Sequence, residues 1–411
     1  MSAAIVPAPV NSGLKTIALV DFTLGGHHAG WLLHFAETLL RLGHRVVCIC
    51  PDRDWAAGEM RARTPEVSDA FSSLGLHDAA FPRVPLRRAR VFAETLARWR
   101  RVAAIIADQM AGPPDLVCFA MLDNLLVGGL TPSLLDAIFP YRWTGVYFHP
   151  RAERLQAQRS RSPRFLRNDY CVRTTNCKAI AILDEGIAAQ LQQAIAPTPV
   201  LVFPDFIVPT PGSAETPAWI RELRQRAGKR TLVGCLGALN QRKGVFTLLR
   251  IAKEMDSSDF FFVFAGHFLR DDLDAEQRLL WDATVANPPE NCTFHLEKIS
   301  DVEFDSLAAS CEVIYAAYRR FPHSSNLLGK AAQFSRPVIV SKGYCMEERV
   351  RRFSMGIAVR EDDPVESLAA LHTLRKRINA PDYQPGEGFA TYLEEHSTER
   401  LTQCLDRLIQ L

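Results

Sequence analysis

The sequence predicts an α/β protein built from two doubly wound domains. Three observations carry this. Short apolar runs alternate with segments of helical spacing from Thr16 to Val359. A chain of 411 residues is too long for one ordinary core. A stretch crowded with Pro, Ser, Thr and Gly, PTPGSAETP at 209–217, separates the two halves as a linker.

The elements follow in order. Thr16–Val20 (TIALV) reads as the first strand, breaking into DFTLGGHHAG and then into a helix whose apolar positions 32, 33, 35, 36, 39 and 40 share a face. HRVVCICP is the next strand, so the chain opens on a β–α–β unit. Gly25 and Gly26 lie at the carboxyl end of its first strand, where open α/β sheets bind ligands. They lack the third glycine of a dinucleotide fingerprint. DLVCFAM (115–121) is a strand ending in Leu122-Asp123-Asn124, and WTGVYF (143–148) is one closed by His149-Pro150. AIAIL (179–183) and PVLVFPDF (199–206) complete the first domain. Beyond the linker, CLGA, FFFVFAGHF, CTFHLEK, CEVIYAAY, PVIVS and MGIAV alternate with helical segments, as a parallel sheet covered on both faces requires. A final helix is expected over 391–411.

The chemistry concentrates in Thr231–Leu249, TLVGCLGALNQRKGVFTLL. An apolar strand ends at Gly237. Arg242, Lys243 and Gly244 then stand where a loop feeds a helix, and open backbone N–H groups and the helix dipole favour an anion there. Arg offers a planar fork and Lys a mobile point charge, a pair suited to a diphosphate and to its departure as a leaving group. A solvated basic turn is the ordinary alternative. A second half-site lies in AAYRRFPHSSNLLGKAAQFSRPVIVS (316–341), where His323, Ser324, Ser325 and Asn326 precede a short helix with good N-cap types.

Together these segments resemble the nucleotide-binding half of GT-B glycosyltransferases, closest to the large retaining group, family 4 or group 1, that includes sucrose synthases and many bacterial polysaccharide enzymes. The resemblance implies two Rossmann-like domains facing across a cleft: 1–208 on the acceptor side, 218–390 binding the nucleotide sugar, and 391–411 crossing back to the first domain. It covers most of the chain, strongly at 231–250 and 316–341 and weakly between 52 and 140. It implies transfer of a sugar from a nucleoside diphosphate donor to a glycan, lipid or natural-product acceptor, with no metal and no cofactor beyond the donor. Gly25, Gly26, Gly237, Gly266 and the 323–326 segment would approach the donor, Arg242 and Lys243 its diphosphate, and His149 the transferred sugar. Inversion would instead need a base, for which His27 and Asp21 are candidates. The sequence departs from the family at its two glutamates: Pro322 stands at the first position and Lys330 at the second, where a lysine cannot accept two ribose hydroxyls. Either Lys330 contacts a phosphate instead, another residue holds the ribose, or the donor is not a standard nucleotide sugar; the plain alternative is that Lys330 only snorkels from its helix. His267 likewise replaces the acidic residue after the donor-side glycine. The departures keep two rivals open, a GT-B protein that binds nucleotide without turnover and a GT-B sugar-nucleotide epimerase, the latter lacking any visible carboxylate-rich site.

Apolar residues make up 47% and charged residues 23% of the chain, and no run reaches the ~20 apolar residues that span a bilayer. The first fifteen residues lack a basic region followed by an apolar core and read as a loose tail. Ten cysteines without the two-residue spacing of a zinc site read as reduced core thiols of a cytoplasmic protein. Net charge is only +2, yet the first 200 residues hold 22 basic against 17 acidic side chains. Seven arginines and one glutamate fall in 82–101, and six arginines and one glutamate in 151–167. Such runs are ordinarily solvated helix faces. The alternative is an anionic acceptor or the inner face of a membrane. Nucleic acid is not expected, because aromatics are not interleaved with the arginines.

Overall fold

The computed structural model describes residues 13–25, 28–76, 86–154, 164–207, 216–255, 258–271 and 273–411. Two compact units emerge, 1–203 with 401–411, and 204–400. Of the expected linker only Thr216 and Pro217 lie among the described residues. Gly26 and His27 lie outside them.

The first unit is a seven-stranded sheet of β1 (Thr16–Val20), β2 (Arg45–Cys50), β3 (Phe71–Gly75), β4 (Leu116–Phe119), β5 (Trp143–Tyr147), β6 (Cys177–Ile182) and β7 (Val200–Val202). All neighbours are parallel, in the order β3-β2-β1-β4-β5-β6-β7. The helix His28–Arg41 buries Trp31, Leu32, Leu33, Phe35, Ala36, Leu39 and Leu40, which includes every position of the predicted apolar face. Trp99, Phe119, Phe139 and Trp143 form an aromatic knot beneath the sheet, with Trp99 about 5 Å from each of the others in edge-on geometry. The Trp99 indole N–H donates to the Leu125 carbonyl at 3.0 Å, so its burial leaves no polar atom unmet.

The second unit holds β8 (Thr231–Leu236), β9 (Phe260–Ala265), β10 (Cys292–His295), β11 (Val313–Ala316), β12 (Val338–Ser341) and β13 (Gly356–Val359). They too are all parallel, in the order β10-β9-β8-β11-β12-β13. β9 explains why the sheet needs cover on both faces: Phe261, Val263 and Ala265 pack into one core, and Phe260, Phe262 and Phe264 into the other. Each buried phenylalanine contributes roughly 2–3 kcal/mol.

Two expectations are corrected. PVLVFPDF yields a strand of only three residues, because after Phe203 the next N–H of the ladder's alternation, that of Asp205, is given to His396 Nδ1 and not to β6. The single helix over 391–411 is two, Gly388–Glu395 and Thr398–Gln410. The break is at His396, which is buried and accepts the Asp205 backbone N–H on Nδ1 at 3.0 Å. β3, unread in the sequence, is an edge strand whose FSSLG is only half-buried.

In each sheet the strand order reverses once, between β1 and β4 and between β8 and β11. Open α/β sheets hold ligands at the carboxyl ends of such strands.

Candidate functional site

In the second unit the reversal lies between Gly237, which follows β8, and Ala317–Tyr318, which follows β11. Gly237 has φ +91 and Gly266, after β9, has φ +121. A Cβ on Gly266 would lie 2.3 Å from the Gly237 carbonyl oxygen, so the two strand ends approach as only glycine permits. Gly237 is bare for a second reason. A Cβ there would lie 2.8 Å from Lys243 Nζ, which donates to the Leu236 carbonyl.

The basic pair is locally held. Asn240 caps the turn Gln241–Lys243 by accepting the Lys243 N–H, and Gly244 (φ +71) leads into the helix Val245–Glu254. A Cβ on Gly244 would lie 2.6 Å from the Ala317 carbonyl oxygen, which seats this turn on the end of β11. The Arg319 N–H donates to the Arg242 carbonyl at 2.7 Å, knitting the two loops. Arg242 lies over the Phe321 ring at 4.6 Å, and Lys243 Nζ over the Tyr318 ring at 5.3 Å. Among the described residues neither cation is in an ion pair with a carboxylate. Burial pushes the neighbouring Cys235 thiol up to about 12 despite Lys243 nearby, so it stays protonated and is no nucleophile.

The second half-site is more divided than its sequence suggests. Ser325 caps the helix Asn326–Gln333, accepting the Leu327 N–H, and Asn326 is exposed at its first position. Ser324, by contrast, donates to the Asp205 carboxylate and accepts from Arg349. Arg349 is fully buried, 3.2 Å from Asp205 and 3.4 Å from the Tyr392 hydroxyl. The Ser324 hydroxyl is thus already engaged within the fold. His323 is buried with its ring against Phe321. Lys330 pairs with Asp305 at 2.6 Å, so its charge is met by the preceding helix Asp301–Ser310. Pro322 is buried. His267 is exposed, its carbonyl accepting from Leu239 N–H.

The reversal of the first unit carries two carboxylate–imidazole pairs. Asp21, just after β1, sits 3.0 Å from His28 Nδ1 and also accepts the Thr23 N–H. Asp123, beyond β4, sits 2.7 Å from His149 Nδ1 and accepts the Phe148 N–H at 3.0 Å. A carboxylate on Nδ1 sets the tautomer that leaves Nε2 the basic nitrogen. The ring of Trp31, on the His28 helix, packs edge-on against Phe148 at 4.9 Å, joining the two pairs through one aromatic contact. Gly25 is exposed and donates its N–H to the Thr23 hydroxyl.

Gly237 and Gly266, read from the sequence as strand ends, meet beside Lys243 of the basic turn, and Ser325 and Asn326 begin the helix that follows β11. Sequence reading missed the Tyr318 and Phe321 rings, whose only signal was an aromatic at each end of YRRF. It also missed His28 as the imidazole paired to Asp21, one residue from the histidine singled out.

No family model matches the sequence, and no curated protein matches it at the sequence level. Solved structures do match. The sucrose-phosphate synthase of Thermosynechococcus elongatus aligns with TM-score 0.67 at 15% identity over 96% of this chain and 98% of that one. Anabaena HepE in complex with UDP aligns at 0.64 and 15% over 97% and 100%. A glycosyltransferase from Rickettsia africae aligns at 0.64 and 11% over 97% and 98%. Along almost its whole length, the chain carries the GT-B fold of these glycosyltransferases.

Proposed function

We propose that the protein is a glycosyltransferase that takes a sugar from a nucleoside diphosphate donor bound by its second unit. The observation that carries this is the Arg242–Lys243 pair, two adjacent cations with no carboxylate partner among the described residues, at the carboxyl ends of β8 and β11. Positive charge placed there without compensation suits a diphosphate and becomes more favourable as charge develops on the leaving group. Gly237, Gly266 and the Ser325–Asn326 helix end supply close backbone approach. Uridine is the first base to test, since the Anabaena relative in fold was solved with UDP.

For the transfer itself, His149 oriented by Asp123 is assigned to the transferred sugar in a retaining reaction, with the departing phosphate assisting the acceptor hydroxyl. A second reading, inversion, is favoured by the Asp21–His28 pair, in which Asp21 is buried and serves the imidazole instead of acting as the base itself. His27 stays a candidate from sequence alone. The anomeric configuration of the product separates the two, and loss of transfer in His28→Ala but not in His149→Ala would favour inversion.

Calorimetric titration with the diphosphates of uridine, guanosine, adenosine and thymidine, with and without magnesium, tests the donor site. Lys243→Ala is expected to weaken the tightest of them by about 1.5–3 kcal/mol, the worth of a charge-assisted hydrogen bond. Unchanged affinity removes Lys243 from the site. Binding without hydrolysis or transfer across many acceptors would favour the non-catalytic reading motivated by Pro322 and Lys330.

A further inference from the structure

We infer that the first unit carries a docking surface for an anionic lipid bilayer, formed by the start of the helix Arg87–Gln109 and the turn Arg164–Leu166. This goes beyond the donor-site reading and rests on different residues. Leu86 is 74% exposed, Val91 41%, and Phe165 and Leu166 49% each, four large apolar side chains left to solvent. The fold holds the two segments together. Gly129 donates its N–H to the Phe165 carbonyl at 2.9 Å, and its α-carbon faces the Phe92 ring on the helix, 3.7 Å from where a Cβ would stand. A Cβ on Gly128 would lie 2.4 Å from the Leu166 carbonyl oxygen, so this turn is pressed onto the 128–129 backbone.

Among the described residues the unpaired charge around these side chains is positive. Arg87, Arg88 and Arg164 are exposed and meet no carboxylate among the described residues. Arg90 and Arg167 are different, their charges answered by Glu94 and by Glu153 with Asp169. Arg87 and Arg88 stand one helical turn from Val91, so cation and apolar side chain share the exposed face.

Exposed leucine and phenylalanine ringed by arginine are the two components of interfacial binding, insertion at the headgroup boundary and attraction to anionic lipid. The alternatives fit less well. Phe165 is the one aromatic of the four, a single stacking platform where single-strand binding stacks successive bases on several. A second copy on the same face would bring like arginines together. The helix begins on the carboxyl side of the sheet, and the turn packs on Gly128, five positions along the chain from Asp123, so docking would present that edge to an acceptor held in the membrane.

Co-sedimentation with equimolar phosphatidylglycerol–phosphatidylcholine vesicles, against phosphatidylcholine alone, tests this. The full chain is expected to bind the anionic vesicles preferentially and to release with rising salt. Each arginine near such a surface is worth about five-fold, so Arg87→Ser with Arg88→Ser should lower partitioning roughly 25-fold. Leu86→Ser, at the most exposed site, should lower it by about ten-fold without changing the thermal midpoint. Nucleoside diphosphate affinity, measured on the same variants, should not move, which separates failure of this surface from failure of the donor site. Equal binding to both vesicle types, or variants that sediment like the parent, overturns the inference. So does a patch-dependent oligonucleotide shift or self-association in the absence of lipid binding.

Discussion

A methyl group on Gly266 would meet the Gly237 carbonyl oxygen at 2.3 Å, with φ at +121 where side chains are rarely tolerated. Gly266→Ala is therefore expected to cost at least about 2–3 kcal/mol and to lower the thermal midpoint by roughly 5–10 °C. Because the displaced atom belongs to the strand end beneath Lys243, nucleotide affinity should fall with it; a variant as stable and as tight as the parent would mean the strand ends are not so pinched. Lys243→Ala makes the complementary change, removing charge while leaving the backbone alone, and calorimetry should show affinity lost with stability nearly kept. The role of Gly237 was legible in the sequence, because a glycine that ends an apolar run just before a basic turn marks a backbone forced to turn where a side chain would not fit. That of Tyr318 and Phe321 was not. Nothing in a one-dimensional pattern says which aromatic will lie under a guanidinium two loops away.

At the scale of the element, the helix Asn326–Gln333 is tied at both ends. Lys330 meets Asp305 on the neighbouring helix, both side chains largely shielded from water. Lys330→Glu should bring two carboxylates together and destabilise by about 1–3 kcal/mol, and Asp305→Lys added to it should restore stability. Titrating the restored pair with UDP reads out the donor role directly, because the ion pair is kept and only its polarity is reversed. Parent-like affinity would make Lys330 a structural residue. At the other end Arg349 is wholly buried against Asp205 and Ser324. Arg349→Met leaves Asp205 without its cation in the interior, and a loss of about 3–5 kcal/mol in urea unfolding is expected. A loss under about 1 kcal/mol would show that the Asp205 charge is met elsewhere. The sequence offered Ser324 as a phosphate ligand since it precedes a helix with the right chemistry. Its hydroxyl is engaged by Asp205, 119 residues away, and by Arg349.

For the whole molecule, two histidines of the first unit make stability depend on pH. Burial holds His34 and His44 below the ordinary 6.5, in His34 against the opposing pull of Glu37. The folded chain therefore keeps both neutral while the unfolded chain takes up protons near 6.5. Their contribution is present above that pH and is lost as pH falls below it, by up to about 1.4 kcal/mol per unit for each histidine. Urea midpoints measured from about pH 8 to pH 5 should fall on the acid side, and His34→Gln with His44→Asn should flatten that limb. An unchanged slope in the double variant would assign the acid sensitivity to carboxylates.

Period and punctuation were enough for the sequence to determine the α/β class, the parallel strands and the sites of the main glycine turns. A strand buried on both faces must be almost continuously apolar, as in FFFVFA and the Val-Ile-Val of β12, and a strand end pressed on another backbone, as at Gly266, must be glycine. β3 escaped because an edge strand is spared that demand. The tertiary structure alone decided which polar groups remain available to a ligand. Arg242, Lys243 and Ser324 look alike as residues flanking helix starts, and Lys330 as one more cation in the helix that follows. Only packing gave Ser324 to Asp205 and Arg349 and Lys330 to Asp305, while leaving Arg242 and Lys243 over aromatic rings with no carboxylate beside them among the described residues. The physical reason is range: hydrogen-bonding and apolar periodicity act within a few residues, whereas charge compensation is settled between side chains that meet only after the sheet has formed.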